Sequence, residues 1–93
     1  MDQRPPVWNA SNIRHIERGR PERANARSEI DEVLNDPRRL EVVKNRNGVD
    51  YHTVIGSSDA GRLLLVVWVD HPDGRFPVHA RRSGRRAARE YYQ

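Results

Sequence analysis

The chain has 93 residues, no cysteine and a formal net charge of +4. That suffices for one domain with a modest core, and it excludes a disulfide scaffold or a thiolate metal site. No apolar run approaches the roughly eighteen residues a membrane helix needs, and residues 1–6 lack the basic-then-apolar order of a secretory signal, so a soluble cytoplasmic domain is expected. Residues 1–6 read as a flexible tail, since Pro5-Pro6 starts neither a helix nor a central strand, and 7–93 read as the single domain. Val7-Trp8 begins a short strand or plugs the core. Ser11 is the candidate N-cap of a first helix with Ile13 and Ile16 on one face, ended by Gly19. A second helix lies between Pro21 and Asn35, with Ile30, Val33 and Leu34 as its apolar stripe. It starts either at the capping-box-like Ser28-Glu29-Ile30-Asp31 or, in a longer version, at Pro21. Asp36-Pro37 ends it.

The remainder reads as strands. Asn47-Gly48, between 40–46 and 49–55, predicts a two-residue hairpin that pairs Lys44 with Tyr51 and Val43 with His52. Leu40, Val42, Val49, Tyr51 and Ile55 are then expected on the buried face, with Glu41, Asn45, Asp50 and His52 opposite. The apolar run 63–69, inside a strand over 62–69, is the pattern of a strand covered on both faces. His71-Pro72-Asp73-Gly74 is a turn. Over 75–81, Phe76, Val78 and Ala80 alternate with Arg75, Pro77, His79 and Arg81, and Pro77 marks an edge or a bulge. Ser83 is the candidate cap of a last helix through Glu90. The expected architecture is α+β: two N-terminal helices, a four-stranded, mainly antiparallel meander sheet and a C-terminal helix.

Charge placement narrows the function. Sixteen of the seventeen cationic side chains are arginine, the exception being Lys44. Residues 1–80 carry twelve cations and twelve anions, whereas 81–93 carry Arg81, Arg82, Arg85, Arg86 and Arg89 against Glu90 alone. The whole excess therefore sits at the C-terminal end, an electrostatic footprint suited to nucleic acid. His15, His52, His71 and His79 show no metal-ligand spacing, no serine sits in a nucleophile elbow, and no cofactor is implied. His79 and Arg81 share one strand face, His52 lies on the hairpin, and the arginines run on into a last helix with Tyr91. Such a set suits RNA cleavage, in which the substrate's 2′-hydroxyl is the nucleophile and the protein supplies acid–base groups and cations.

Trp8-Asn9, Asn12, Ile13, His15 and Ile16, then Glu32-Val33-Leu34-Asn35-Asp36-Pro37, resemble the opening of BrnT-type toxins. Ile55-Gly56, Gly61-Arg62-Leu63-Leu64-Leu65-Val66-Val67, Ala80-Arg81 and Tyr91 are similar to that family's later segments. Tyr51 stands where the family usually has arginine, and Ala87 where its last helix has an acidic residue. The resemblance implies a RelE-like ribonuclease fold and a type II toxin that blocks translation by cutting RNA, neutralised by a ribbon-helix-helix antitoxin. On that reading Arg81 and Arg62 grip the scissile phosphate, His79 is base or acid, Tyr91 assists or stacks, and His52 is a further catalytic candidate. Lys44, Arg82, Arg85, Arg86 and Arg89 bind RNA. The charge arithmetic adds that an acidic antitoxin segment covers the face of His79, Arg81 and the last helix. The alternative is a non-catalytic RNA- or DNA-binding module using that helix; a weaker one is an adaptor for an acidic partner.

Overall fold

A computed structural model describes residues 3–17 and 26–93. The chain order is α1 (Ala10–Glu17), α2 (Ala26–Leu34), β1 (Leu40–Arg46), β2 (Val49–Ser57), β3 (Leu63–His71), β4 (Gly74–Arg82) and α3 (Arg85–Tyr91). The strands form one antiparallel sheet in the order β1-β2-β3-β4, the expected meander. Gly19 and Pro21, the proposed stop of the first helix and start of the second, lie outside the described residues. Ser28 is the third residue of α2 rather than its cap.

Asn9, not Ser11, caps α1. Its Oδ1 accepts the Ser11 and Asn12 backbone N–H groups at 2.9 and 3.3 Å, and Asn12 Oδ1 accepts the Asn9 N–H at 2.8 Å. This reciprocal arrangement satisfies donors that a helix start otherwise leaves unpaired. Asn12 is buried and its Nδ2 donates to the Val7 and Pro77 carbonyls, at 2.9 and 3.1 Å, which ties α1 to β4. The last helix starts after Gly84, with no side-chain cap from Ser83.

The hairpin register is as expected, with Lys44 opposite Tyr51 and Val43 opposite His52, and Asn47 and Gly48 at φ 53° and 82°. These positive angles are what a two-residue turn matching the strand twist requires. The faces are inverted. The core consists of Ile16, Ile30, Val33, Leu34, Val54, Val66, Trp68 and Ala80, with Trp8 and Leu64 packed against it. Val54, Val66 and Trp68 are in phase with Glu41, Val43 and His52, not with Leu40, Val42 and Tyr51. Of the set expected inside, only Ile55 is buried; Leu40, Val42 and Val49 are exposed. The cause is the position of the helices. α2 packs on β2 and β3 and α1 on β4, all on one face, and α3 packs against β2. For the same reason β3 is fully covered on one face only: Val66 and Trp68 are buried, while Leu63, Leu65, Val67 and Val69 on the other face are half-buried.

A bulge in β4 resets its alternation. Val67 pairs with His79 but Trp68 pairs with Pro77, which leaves Val78 without a partner. Arg75 and Pro77 therefore point inward before the bulge and Ala80 after it, while His79 and Arg81 are exposed on the open face. The single alternation expected over 75–81 puts Arg75 and Pro77 on the wrong side. One extra residue flips every side chain beyond it.

Part of the expected tail is docked. Pro6 bridges in parallel to Arg75, the Val7 N–H donates to the Arg75 carbonyl at 2.7 Å, and the Arg75 N–H donates to the Pro5 carbonyl at 2.9 Å. Arg75 is fully buried, and its Nη1 and Nη2 donate to the Leu34 carbonyl at 2.7 Å and to Asn35 Oδ1 at 2.9 Å. Its Nε donates to the Arg4 carbonyl. Gly74, at φ +151°, makes the close approach possible, because a Cβ there would lie 2.1 Å from the Pro5 carbonyl oxygen. Arg75→Ala leaves one buried and two part-buried acceptors without their donor, at a cost of about 1–3 kcal/mol for each that water does not reach. Urea denaturation should show a loss of at least about 3 kcal/mol, with Arg75→Lys recovering part of it and Gly74→Ala also destabilising.

Candidate nucleic-acid interface

The face of the sheet opposite α1 and α2 gathers His79 and Arg81. Cross-strand register builds two rows there: Val42–Thr53–Val67–His79 and Leu40–Ile55–Leu65–Arg81. Lys44 and Arg46 follow Val42 in the same phase, opposite Tyr51 and Val49. At the hairpin end of this face lies a depression of about 450 Å³ lined by Lys44, Arg46, Asn47, Val49, Tyr51, Thr53 and Val67. Its lining residues Thr53 and Val67 belong to the row that ends at His79. Cations, an aromatic ring and an imidazole thus share one apolar-floored surface, the combination that single-stranded nucleic acid binds.

Arg82, Arg85, Arg86 and Arg89 are all exposed. Arg82 pairs with Leu64, in the opposite phase to Arg81, and the other three lie on α3. The expected C-terminal footprint thus stays accessible, but Arg82 faces away from the His79–Arg81 strand face and the rest lies on α3, which packs against β2.

Three other candidates lie elsewhere. Arg62 precedes β3 and its Nε is 3.3 Å from Glu29 Oε2 of α2. Tyr91 donates its hydroxyl to Asp36 Oδ2, which also accepts the Ser57 N–H at 2.8 Å. That hydrogen bond, with burial and the Asp36 charge, pushes the Tyr91 phenol up to about 12. Burial alone would raise Asp36, but the Ser57 N–H, the Tyr91 hydroxyl and the Arg38 N–H outweigh it and hold the carboxyl below its ordinary value. Tyr91 is a strut between α3 and the loop after α2.

His52 lies on the opposite face from His79. Its ring stacks on Trp68 with centroids 3.7 Å apart and planes at 10°. Nδ1 is 3.4 Å from Glu41 Oε2 and Nε2 is 3.8 Å from Asp70 Oδ2, while Arg4 pairs with Asp70 and sits 5.9 Å from the Trp68 ring centre. Among the described residues no group of three or more histidine, aspartate and glutamate side chains is placed to hold a metal ion.

Arg46, Asn47, Tyr51 and Thr53 were not among the residues the sequence singles out as RNA contacts. Their signal was the hairpin register itself, once the helices are known to cover the other face.

The Tyr91–Asp36 bond generates a prediction with a defined sign. A phenol raised in the folded state contributes stability that is complete below pH 10 and is lost as pH rises through about 12. Tyr91→Phe should cost about 1 kcal/mol at neutral pH by chemical denaturation, and the gap from wild type should close over that alkaline interval.

No protein-family model and no curated protein matches the chain.

Proposed function

We propose that the chain is a metal-independent endoribonuclease of RelE-like fold, acting in the cytoplasm as the toxin of a type II toxin–antitoxin pair. The observation that supports it most is the pairing of His79 and Arg81, two positions apart, on a sheet face that α1 and α2 leave open. The resemblance to BrnT-type toxins and the C-terminal excess of arginine point the same way. An RNA strand lying on this face brings its own nucleophile. His79 takes the 2′-hydroxyl proton as the 2′-oxygen bonds to phosphorus. The bond from phosphorus to the 5′-oxygen breaks, and that oxygen leaves with a proton from the imidazolium or from water. Arg81 offsets the charge that gathers on the phosphoryl oxygens. Lys44 and the α3 arginines hold the flanking phosphates. Arg62, Tyr91 and His52 lie outside the reacting set in this scheme. The partner that silences it is a ribbon-helix-helix antitoxin with an acidic segment laid over His79, Arg81 and α3.

A second reading, binding of RNA without cleavage, is favoured by one observation: the Tyr91 hydroxyl is engaged by Asp36 and His52 faces away, which leaves His79 as the imidazole two residues from Arg81 on the open face. End-labelled RNA incubated with the protein in EDTA separates the two. The proposal expects defined fragments, lost with Arg81→Ala together with growth inhibition, while the variant's thermal unfolding is unchanged. Intact but gel-shifted RNA favours the second reading, and a folded Arg81→Ala that cuts as wild type does contradicts the first.

A further inference from the structure

We infer that the depression at the β1–β2 hairpin is a nucleotide subsite for single-stranded RNA, with Tyr51 as the platform on which a base stacks and Lys44 and Arg46 as its phosphate contacts. This deepens the proposed function and rests on its RNA reading. Tyr51 and Lys44 are direct cross-strand partners, and Arg46 is the next outward residue in the same phase. A phenol ring and two cations thus line one cavity, with Val49 and Val67 as apolar wall and floor and Asn47 and Thr53 as polar edges. Among the described residues neither Lys44 nor Arg46 is in an ion pair, and no hydrogen bond holds the Tyr51 hydroxyl. Both charges and the ring are therefore available to a ligand. The volume, about 450 Å³, is in the range of small-molecule sites.

The chemistry selects the ligand class. An aromatic face accepts any base, but only one that is unstacked from its neighbours and unpaired. A duplex keeps its bases paired and stacked, so it cannot fill this cavity. The position ties the subsite to the reacting pair. Thr53, Val67 and His79 are neighbours on consecutive strands, so at the usual strand spacing Val67 lies about 5 Å and Thr53 about 10 Å from His79. A strand with one base on Tyr51 then runs across the sheet towards His79 and Arg81.

The test uses a fluorescein-labelled, single-stranded 2′-O-methyl RNA of about twelve nucleotides, which lacks the nucleophilic hydroxyl and so is not consumed. Fluorescence anisotropy is read for wild type, Tyr51→Ala, Tyr51→Phe, the double variant Lys44→Ala/Arg46→Ala, and Arg14→Ala on α1 as a control; circular dichroism melts establish that each is folded. Stacking on one base is worth about 1–3 kcal/mol, so Tyr51→Ala should weaken binding by about 5- to 150-fold while Tyr51→Phe and Arg14→Ala bind as wild type. The double variant should lower the slope of log affinity against log salt by about 1.4, two phosphate contacts at about 0.7 each. Unlabelled RNA duplex should compete poorly. RNA bound equally well by wild type and Tyr51→Ala overturns the subsite and leaves the RNA reading standing. A wild-type protein that binds no RNA overturns both.

Discussion

The buried guanidinium of Arg75 is the constraint on which the rest of the architecture depends. A charge with no solvent exposure is tolerated only where its donors are satisfied, and Arg75 meets that demand by recruiting three acceptors from two separate pieces of chain. It bonds the last helical carbonyl of α2 at Leu34, the Asn35 side chain just beyond, and the Arg4 carbonyl of the N-terminal segment. Two of these acceptors lie at the C-terminal end of α2, where the helix dipole also favours a cation. Asp31, one turn back on α2, feels the same charge: burial raises its carboxyl, while the Trp8 indole N–H and Arg75 pull it down. The polar links through Trp8, Asp31 and Asn12 extend this one anchor into the joint between both helices and β4. Everything so tied lies on one side of the sheet, and α1 and α2 leave the other side open.

The β4 bulge decides which side chains of that strand face outward. Without the extra residue at Val78, a strand with Arg75 pointing inward would also point His79 and Arg81 inward. A structural arginine and two surface cationic or titratable groups can share one short strand only because the alternation is reset between them. Bulges commonly re-aim side chains beside active sites, and Pro77, which cannot donate to the ladder, sits where the pairing already breaks.

The element order and the hairpin register were readable from sequence because both are local. Asn47-Gly48 dictates a turn and the turn dictates its partners. The choice of face was not local. Leu40, Val42 and Tyr51 are more apolar than Glu41, Asp50 and His52, and alternation alone sends the wrong set inside. The core phase is set instead by Val54, Val66 and Trp68 further along, where the helices land, while β1 and the start of β2 project past them. The same error hid Tyr51 as a residue of the depression, since an aromatic assigned to the core is not sought at a surface. That His79 and Arg81 share a face was legible from their two-residue spacing. Arg62, Tyr91 and His52 were not separable from them, because their partners Glu29, Asp36 and Trp68 are distant in sequence.

The central claim is that the face of the sheet opposite α1 and α2, not the face those helices cover, engages RNA. Titrating the 2′-O-methyl strand into uniformly ¹⁵N-labelled protein and following amide shifts by NMR tests it most directly. The account predicts shifts confined to the rows from Val42 to His79 and from Leu40 to Arg81, to the hairpin depression and to α3, with Ile30, Trp68 and the α1 amides unmoved. Shifts centred on α1, α2 or the His52–Trp68 stack, with the open face silent, would contradict it.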